Sequence, residues 1–547
     1  MNANNILSNC IKEHCHNDDN YDVDKNNISG AHHVYYCNVA PLDNQSLSLG
    51  AQLLACSSVD QRSQFVKLPK CSIRRTLNVM ETYDKHSVKS FYRVWHIQCT
   101  IIVTLIAIAL ARAVIQCRVN DGKSDRLKIW LRYSLEFTVI SLPVIVSVNV
   151  ANSYVEFIVI FAFLMLLFIM WRTKCWQLAA KREYEFGRRP ILFTLMRSTI
   201  NFLTALCILA IDFKSFPKTF RKSRRYGVGL MDVGIGLFVL SMGLVTSRPR
   251  KVSDLRKLVF TVGCMLLLGL ARTLVITAID YHQDEHEYGT HLNAFFTLGF
   301  TKLFATCFGF VAKSNKHLLI LGLVILISHE AVLQCGIWKY VMNPKLERTT
   351  IISSNREGLC SLPGFIALYL LSQYLGQWLQ AKDVLNFQEI KDKFKALSLT
   401  TLSLWLLVSI AIFVIGIARV TCNLGYVLWI LAIAVTMCTL YLFVFDIVLD
   451  TLKPVDAENN KVNLSEMGIN QKPLLVSLNS KIPLVIEAVN YNGLTFFLLA
   501  NILTGCTNMF LATDEKSNLQ SVFILFIYML ITTTFIFILY RFKIRIA

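Results

Sequence analysis

Residues 424–445 read LGYVLWILAIAVTMCTLYLFVF, twenty-two positions without one charged side chain. A membrane helix needs about 20 predominantly apolar residues to cross a hydrocarbon core about 30 Å thick. The run is therefore long enough to span, and comparable runs recur along the chain. They centre near Leu105, Ile140, Ala162, Leu203, Phe238, Leu267, Phe304, Leu326, Leu370, Leu406, Ala434, Leu499 and Leu530, thirteen in all. Only helices and closed barrels satisfy every backbone group inside a bilayer, and the alternation of barrel strands is missing. The sequence predicts an all-α polytopic membrane protein, about 13 transmembrane helices in one bundle, with the second and third spans running together around Asn149 and Asn152.

Composition agrees. Of 547 residues 54% are hydrophobic and 17% charged, with a mean hydropathy of +0.49. Soluble domains carry about a quarter charged residues, so a soluble enzyme on a single tether is excluded. The net charge of +19 does not gather into one basic stripe, which argues against a nucleic-acid partner. Five of the 16 cysteines (Cys10, Cys15, Cys37, Cys56, Cys71) fall in the polar start of the chain, and most others lie in or beside apolar runs, where a cysteine acts as a small hydrophobe.

Residues 1–90 form a polar extension rich in Asn, Ser, His and Asp, expected to be disordered, with no cleavable signal peptide in view. The spacing of Cys10, Cys15, His16, His32, His33 and Cys37 fits no common zinc site, and a His14 to Asp19 spacing sits in a tail with no surrounding fold. Met80 offers an alternative start that would leave a chain almost entirely of membrane domain. Residues 91–547 make the multi-pass domain, interrupted by a polar linker at 450–482 expected to be cytosolic. Asn463 heads a glycosylation sequon in that linker, on the wrong side for use, whereas Asn27 and Asn44 are usable if the N-terminal tail is lumenal.

Basic residues after the last span, Arg541, Lys543 and Arg545, predict a cytosolic C-terminus, and an odd span count then puts the N-terminal tail in the lumen. The alternation holds at most loops. Arg118, Lys123, Arg126, Lys128 and Arg132 fall on the cytosolic side, and the opposite loop holding Asp280, Asp284, Glu285 and Glu287 has no Lys or Arg. The exception is the loop after the fourth span, DFKSFPKTFRKSRRY from Asp212, predicted lumenal yet carrying six basic residues between Lys214 and Arg225. Charge kept against the topology rule suits an anionic lipid headgroup, with Phe213, Phe216 and Phe220 expected at the membrane interface.

Asp212 sits where an apolar helix meets this loop, and Lys222 follows ten residues on, with Pro217 between them. If the loop folds back, the pair supplies a base and a cation for developing negative charge. Spacing alone leaves a structural salt bridge equally open.

The run from Cys207 to Asp212 with Phe216, Pro217, Phe220 and Lys222, followed by Tyr226-Gly-Val-Gly-Leu-Met-Asp, resembles the inositol acyltransferases of glycosylphosphatidylinositol (GPI) anchor biosynthesis. Asp280-Tyr281 with Glu287-Tyr288-Gly289, His291 and Asn293, then Asn355-Arg356-Glu357-Gly358 with Ser361, and the stretch from Phe497 to Gly505 are similar to the same family. The likeness runs from about residue 90 to the end. It implies transfer of a long-chain acyl group, palmitoyl above all, from acyl-CoA to an inositol hydroxyl of glucosaminyl-phosphatidylinositol in the endoplasmic reticulum. It also implies that Asp212 and Lys222 are the catalytic pair, with palmitoyl-CoA a co-substrate, no tightly bound cofactor or metal, and no obligate protein partner. Lys218 to Arg221 and Ser223 to Arg225 depart from the family pattern, and Arg356 stands where the family has Lys, which keeps charge but not geometry.

Intramembrane charge is costly and usually faces the protein interior. Arg197 and Asn201, one turn apart, and Arg272 and Lys302 are therefore candidates for the substrate phosphate or the acyl-CoA, or else for pairing with Asp232 to fix the bundle. Lys218, Arg221, Asp232, His291, Asn293, Asn355, Arg356 and Glu357 complete the candidate substrate contacts. A polytopic transporter, with Asp212, Arg272 and Lys302 along its path, is the rival class, although no paired halves with broken helices are visible.

Overall fold

The computed structural model describes residues 70–118, 125–173, 177, 179, 183–185, 190–248, 252–278, 285–380, 382, 384–451 and 482–546. The cysteines and histidines of the tail named above, except Cys71, the sequons, Asp280, Asp284 and nearly all of the 450–482 linker lie outside the described residues. Backbone contacts divide the chain at Leu77, and the larger unit is Asn78–Ala547.

That unit is helical. Helix α1 (Lys70–Arg118) contributes a span from Lys89 to Val114; α2 (Asp125–Asn149) and α3 (Val155–Thr173) follow, joined by a single 3-10 turn, Asn152–Tyr154. Then come α4 (Ile191–Ala210), α5 (Leu230–Val245), α6 (Val252–Ala278), α7 (Ala294–Val311), α8 (Asn315–Val332), α9 (Arg356–Leu379), α10 (Phe387–Val414) and α11 (Leu424–Tyr441). After the short α12 (Leu484–Tyr491), α13 (Gly493–Phe510) and α14 (Asn518–Arg541) complete the bundle. Among the described residues 12 helices are long and apolar enough to cross a membrane, and α5 is a thirteenth apolar helix of 16 residues. Each of the thirteen predicted centres falls in one of them.

At about 1.5 Å per residue α5 is only about 24 Å long, short of a hydrocarbon core. It tolerates this because protein covers it: Leu230, Asp232, Val239, Leu240 and Leu244 are all buried. α3 is the opposite case, with Phe157, Phe161, Phe163, Leu164 and Phe168 exposed along its length, as suits a helix bathed in lipid. The core lies among α4, α5, α9 and α11, where Trp429, Tyr426, Tyr441 and Phe202 are fully buried and Cys207, Cys422 and Cys438 pack as small hydrophobes.

Contacts sort the loops into two ends. At one end, Lys222 pairs with Glu287 at 2.6 Å, Arg348 with Glu285 at 3.0 Å, and Asp212 with Asn508, while the Gly227 amide bonds the Ile417 carbonyl. His96, opening the first span, meets Glu156, opening the third. At the other end a two-stranded ribbon, β1 (Glu183–Glu185) antiparallel to β2 (Val384–Asn386), joins the connection after α3 to that after α9. Arg248 there donates to the Ala312 carbonyl, and Tyr540 to Glu487. Loops therefore alternate end by end, as an up-and-down bundle requires.

One expectation is corrected. Phe213, Phe216 and Phe220 are not seated in lipid but are at most 1% exposed, inserted in the core below their own loop. The aromatic side chains anchor the basic loop to the protein, and its cations stay outside.

Candidate active site

The end of the bundle that holds the Lys222–Glu287 and Asp212–Asn508 contacts, the tied end, opens into a cavity of about 670 Å³ enclosed by α4, α5, α6, α7 and α13. Each helix gives one stripe to it. From α4 come Arg197, Asn201, Thr204, Ile208 and, just past its end, Asp212; from α13 come Phe497, Asn501, Thr504 and Asn508. Both sets recur at three- and four-residue steps, one face of a helix. Arg197 and Asp212 are fifteen residues apart, about 22 Å along the helix axis, so the cavity runs deep into the bundle. Its middle is apolar, with Leu203, Met231, Phe238, Met242, Leu298 and Phe497. Its mouth at the tied end is polar, with Asp212, Lys222, Arg272, Glu287, Tyr288, Arg419 and Asn508.

Asp212 accepts a hydrogen bond at Oδ2 from the Asn508 side chain at 2.8 Å. Burial pushes its carboxyl above the ordinary aspartate range, and the Asn508 bond and the nearby Arg221 charge pull it partly back. Lys222 lines the same cavity, but its ammonium rests on Glu287 Oε1 rather than on Asp212. Base and cation thus share one mouth, each oriented by its own partner. Burial raises the Tyr288 phenol to about 12, so it stays a hydroxyl there.

Arg197, Asn201, Arg272 and Lys302 line the cavity too. Asn201 donates to the Arg197 carbonyl, and the Lys302 ammonium has no hydrogen-bond or ion-pair partner among the described residues. The remaining candidates stand apart from the cavity. Asp232 is fully buried in an ion pair with Arg419, Oδ1 to Nε 2.9 Å, and accepts from the Ser223 amide at both oxygens, so it fixes the start of α5 and is not among the residues lining the cavity. Its partner is Arg419, not Arg197, Arg272 or Lys302. Asn293 caps α7, accepting from the Phe295 and Phe296 amides, and donates to the Gly269 carbonyl. Asn355 accepts from the amides of His291 and Leu292, Arg356 donates to the carbonyls of Asn343 and Leu346, and Glu357 takes a two-pronged bond from Arg348. A Cβ on Gly358 would stand 2.5 Å from the Tyr288 carbonyl. The motif around Asn355 therefore clamps the loop holding Glu287 and Tyr288. Lys218 and Arg221 are exposed, the latter reaching only the Ile211 carbonyl at 3.4 Å.

Asn501, Thr504, Asn508, Glu287 and Arg419 also line the cavity, and none is among the candidate site residues that the sequence offers. The first three carried a signal, a polar stripe on an otherwise apolar span. Glu287 is visible only as one of the acidic loop and of the Glu287-Tyr288-Gly289 motif, and Arg419 carries no signal that singles it out.

A deep, apolar-walled cavity with charged groups at its mouth, held in a polytopic helical bundle, defines a membrane protein with an interior binding cavity whose wall suits an apolar chain and whose mouth suits a polar group. Comparison with known proteins gives the particular family. The GWT1 family model matches residues 89–539, and the chain belongs to that family. It is 31% identical over 360 residues to GPI-anchored wall transfer protein 1 of Schizosaccharomyces pombe, covering 65% of this chain and 73% of that one. It is 27% identical over 458 residues to human glucosaminyl-phosphatidylinositol-acyltransferase PIGW, covering 75% and 87%. A relative in Dictyostelium discoideum, phosphatidylinositol-glycan biosynthesis class W protein, is 27% identical over 474 residues, covering 77% and 89%.

Proposed function

We propose that the chain transfers a long-chain fatty acyl group, palmitoyl in the first instance, from acyl-CoA to an inositol hydroxyl of glucosaminyl-phosphatidylinositol in the endoplasmic reticulum membrane. The observation that carries this reading is the placement of Asp212 and Lys222 at the mouth of one apolar cavity, in a chain whose relatives include a named glucosaminyl-phosphatidylinositol acyltransferase. The acyl chain lies along the wall of Leu203, Met231, Phe238 and Phe497, which leaves the thioester at the mouth.

Asp212, held by Asn508, takes the proton of the inositol hydroxyl as its oxygen attacks the thioester carbonyl. Lys222, fixed by Glu287, stabilises the oxyanion. The carbon–sulfur bond then breaks, and the CoA thiolate leaves with the proton returned from Asp212. A thioester is already activated, so a positioned base, worth about 10²–10⁴ in rate, and held reactants suffice without a covalent enzyme intermediate. Arg272 at the mouth is suited to the lipid phosphate.

The test is expression in cells lacking the inositol acyltransferase, scoring GPI-anchored proteins at the surface. Wild type restores them and Asp212→Asn does not. Restoration by both variants overturns the catalytic role of Asp212. Restoration by neither, with both proteins inserted, overturns the acyltransferase reading in favour of a transporter.

A further inference from the structure

A second cavity, about 420 Å³, opens at the same end of the bundle between the start of the first span, the turn before α3 and the 3-10 turn Lys218–Phe220. No residue lines both cavities. Lys89, Arg93 and His96 face it from successive turns of α1, joined by Asn152, Ser153 and Thr219. No carboxylate is among its lining residues, and among the described residues neither Lys89 nor Arg93 has an ion-pair partner.

The third basic group is built in. His96 is 8% exposed, its ring set between Tyr92 at 5.8 Å and Phe220 at 5.5 Å. Its Nδ1 meets Glu156 Oε1 at 2.5 Å, which leaves Nε2 as the ring nitrogen without a partner. The neighbouring carboxylate is thus already engaged by His96, and by the Tyr92 hydroxyl at 3.1 Å. Two cations without an ion-pair partner among the described residues, the Asn152 amide and two hydroxyls around a concave space make a receptor for an anion with several acceptor oxygens, and the His96 ring shapes its wall.

Its depth identifies the source. Tyr92, Trp95 and Tyr154 beside the pocket are 57%, 50% and 63% exposed, an aromatic belt of the kind that sits at the level of lipid headgroups. We propose that this pocket binds the phosphate of an anionic membrane phospholipid, separately from the cavity holding Asp212. Thr219 and Phe220 belong to the loop that presents Lys222, so an occupied pocket fastens that loop to α1.

The experiment uses the full chain in nanodiscs, read by hydrogen exchange of peptides covering residues 213–222 and by native mass spectrometry of retained lipid. Phosphatidate added to phosphatidylcholine discs in phosphate-free buffer slows exchange in the loop and is retained. Lys89→Gln with Arg93→Gln abolishes the slowing and weakens retention about thirtyfold. The charge-preserving pair Lys89→Arg with Arg93→Lys keeps both effects. Equal retention by the Gln pair overturns the site, as does loss of both effects in the charge-preserving pair. Slowing by inorganic phosphate alone, with none from phosphatidate, overturns the lipid as its source. These readouts do not require acyl transfer.

Discussion

Asp212 lies two residues beyond the end of α4, just past the Ile211 cap, and its environment opposes ionisation more than it favours it. A folded-state pKa above the unfolded value means that the protonated carboxyl is the one the fold prefers. Its contribution to stability is present below the ordinary aspartate value and is lost as pH rises through the raised value. At neutral pH the ionised form is a cost, which Asn does not incur. Asp212→Asn should therefore melt at the same temperature as wild type or higher, while acyl transfer falls about 10²–10⁴-fold; thermal denaturation and a single-turnover assay read the two. A variant that melts much lower refutes this account of the carboxylate. Asn508 gives a second test, since its bond favours the charged form. Asn508→Ala should move the acid limb of the pH–rate profile upward, because a base with a higher pKa is protonated at higher pH. Asp212 was legible in the sequence as a carboxylate at the end of an apolar run. Asn508 was not, because its partner is 296 positions away and nothing local to either residue names the other.

At the scale of elements, α5 has two working faces. Phe238, Ser241 and Val245 line the cavity, while Gly236 and Gly243, seven residues apart, let α11 and α9 approach on the other face. A Cβ on Gly376 of α9 would stand 1.9 Å from the Leu244 carbonyl, so these two backbones touch. Gly376→Val should cost about 1–3 kcal/mol by overpacking and displace the cavity wall, seen as a lower melting temperature and weaker acyl-CoA binding. The first turn of α5 is held otherwise, by the buried Asp232–Arg419 pair. Arg419→Gln leaves Asp232 buried without its counterion and should cost about 3–5 kcal/mol, measured as lost melting temperature or lost folded protein on extraction. Helices were readable because each is a long continuous apolar run, and α5 was read without knowing it to be short. The Phe213 to Phe220 loop was misjudged for a physical reason. Aromatic residues among cations look alike whether they enter lipid or a protein core, and only the helices packed beneath them decide which.

For the whole molecule, the alternation of loops leaves one binary question: which compartment faces the tied end. Lys516 lies in the connection between α13 and α14, at the end that holds Asp212; Lys382 lies beside the β1–β2 ribbon at the other. Basic residues after α14, Arg541, Lys543 and Arg545, favour a cytosolic C-terminus, and a C-terminus on that side would put the opposite end, with Asp212, Glu287 and Lys516, toward the lumen. The basic loop opposes that bias, yet its charge has other uses. Lys222 is committed to Glu287, and the Phe anchors hold the loop in place whatever the membrane potential does. A glycosylation sequon engineered at 511–517 should accordingly be modified in microsomes, and one engineered beside Lys382 should not, as a mass shift removed by glycosidase would read. The reverse pattern would leave the bundle and cavity unchanged. It would turn the mouth to the cytosol, where the inositol headgroup would have to be presented in the opposite leaflet.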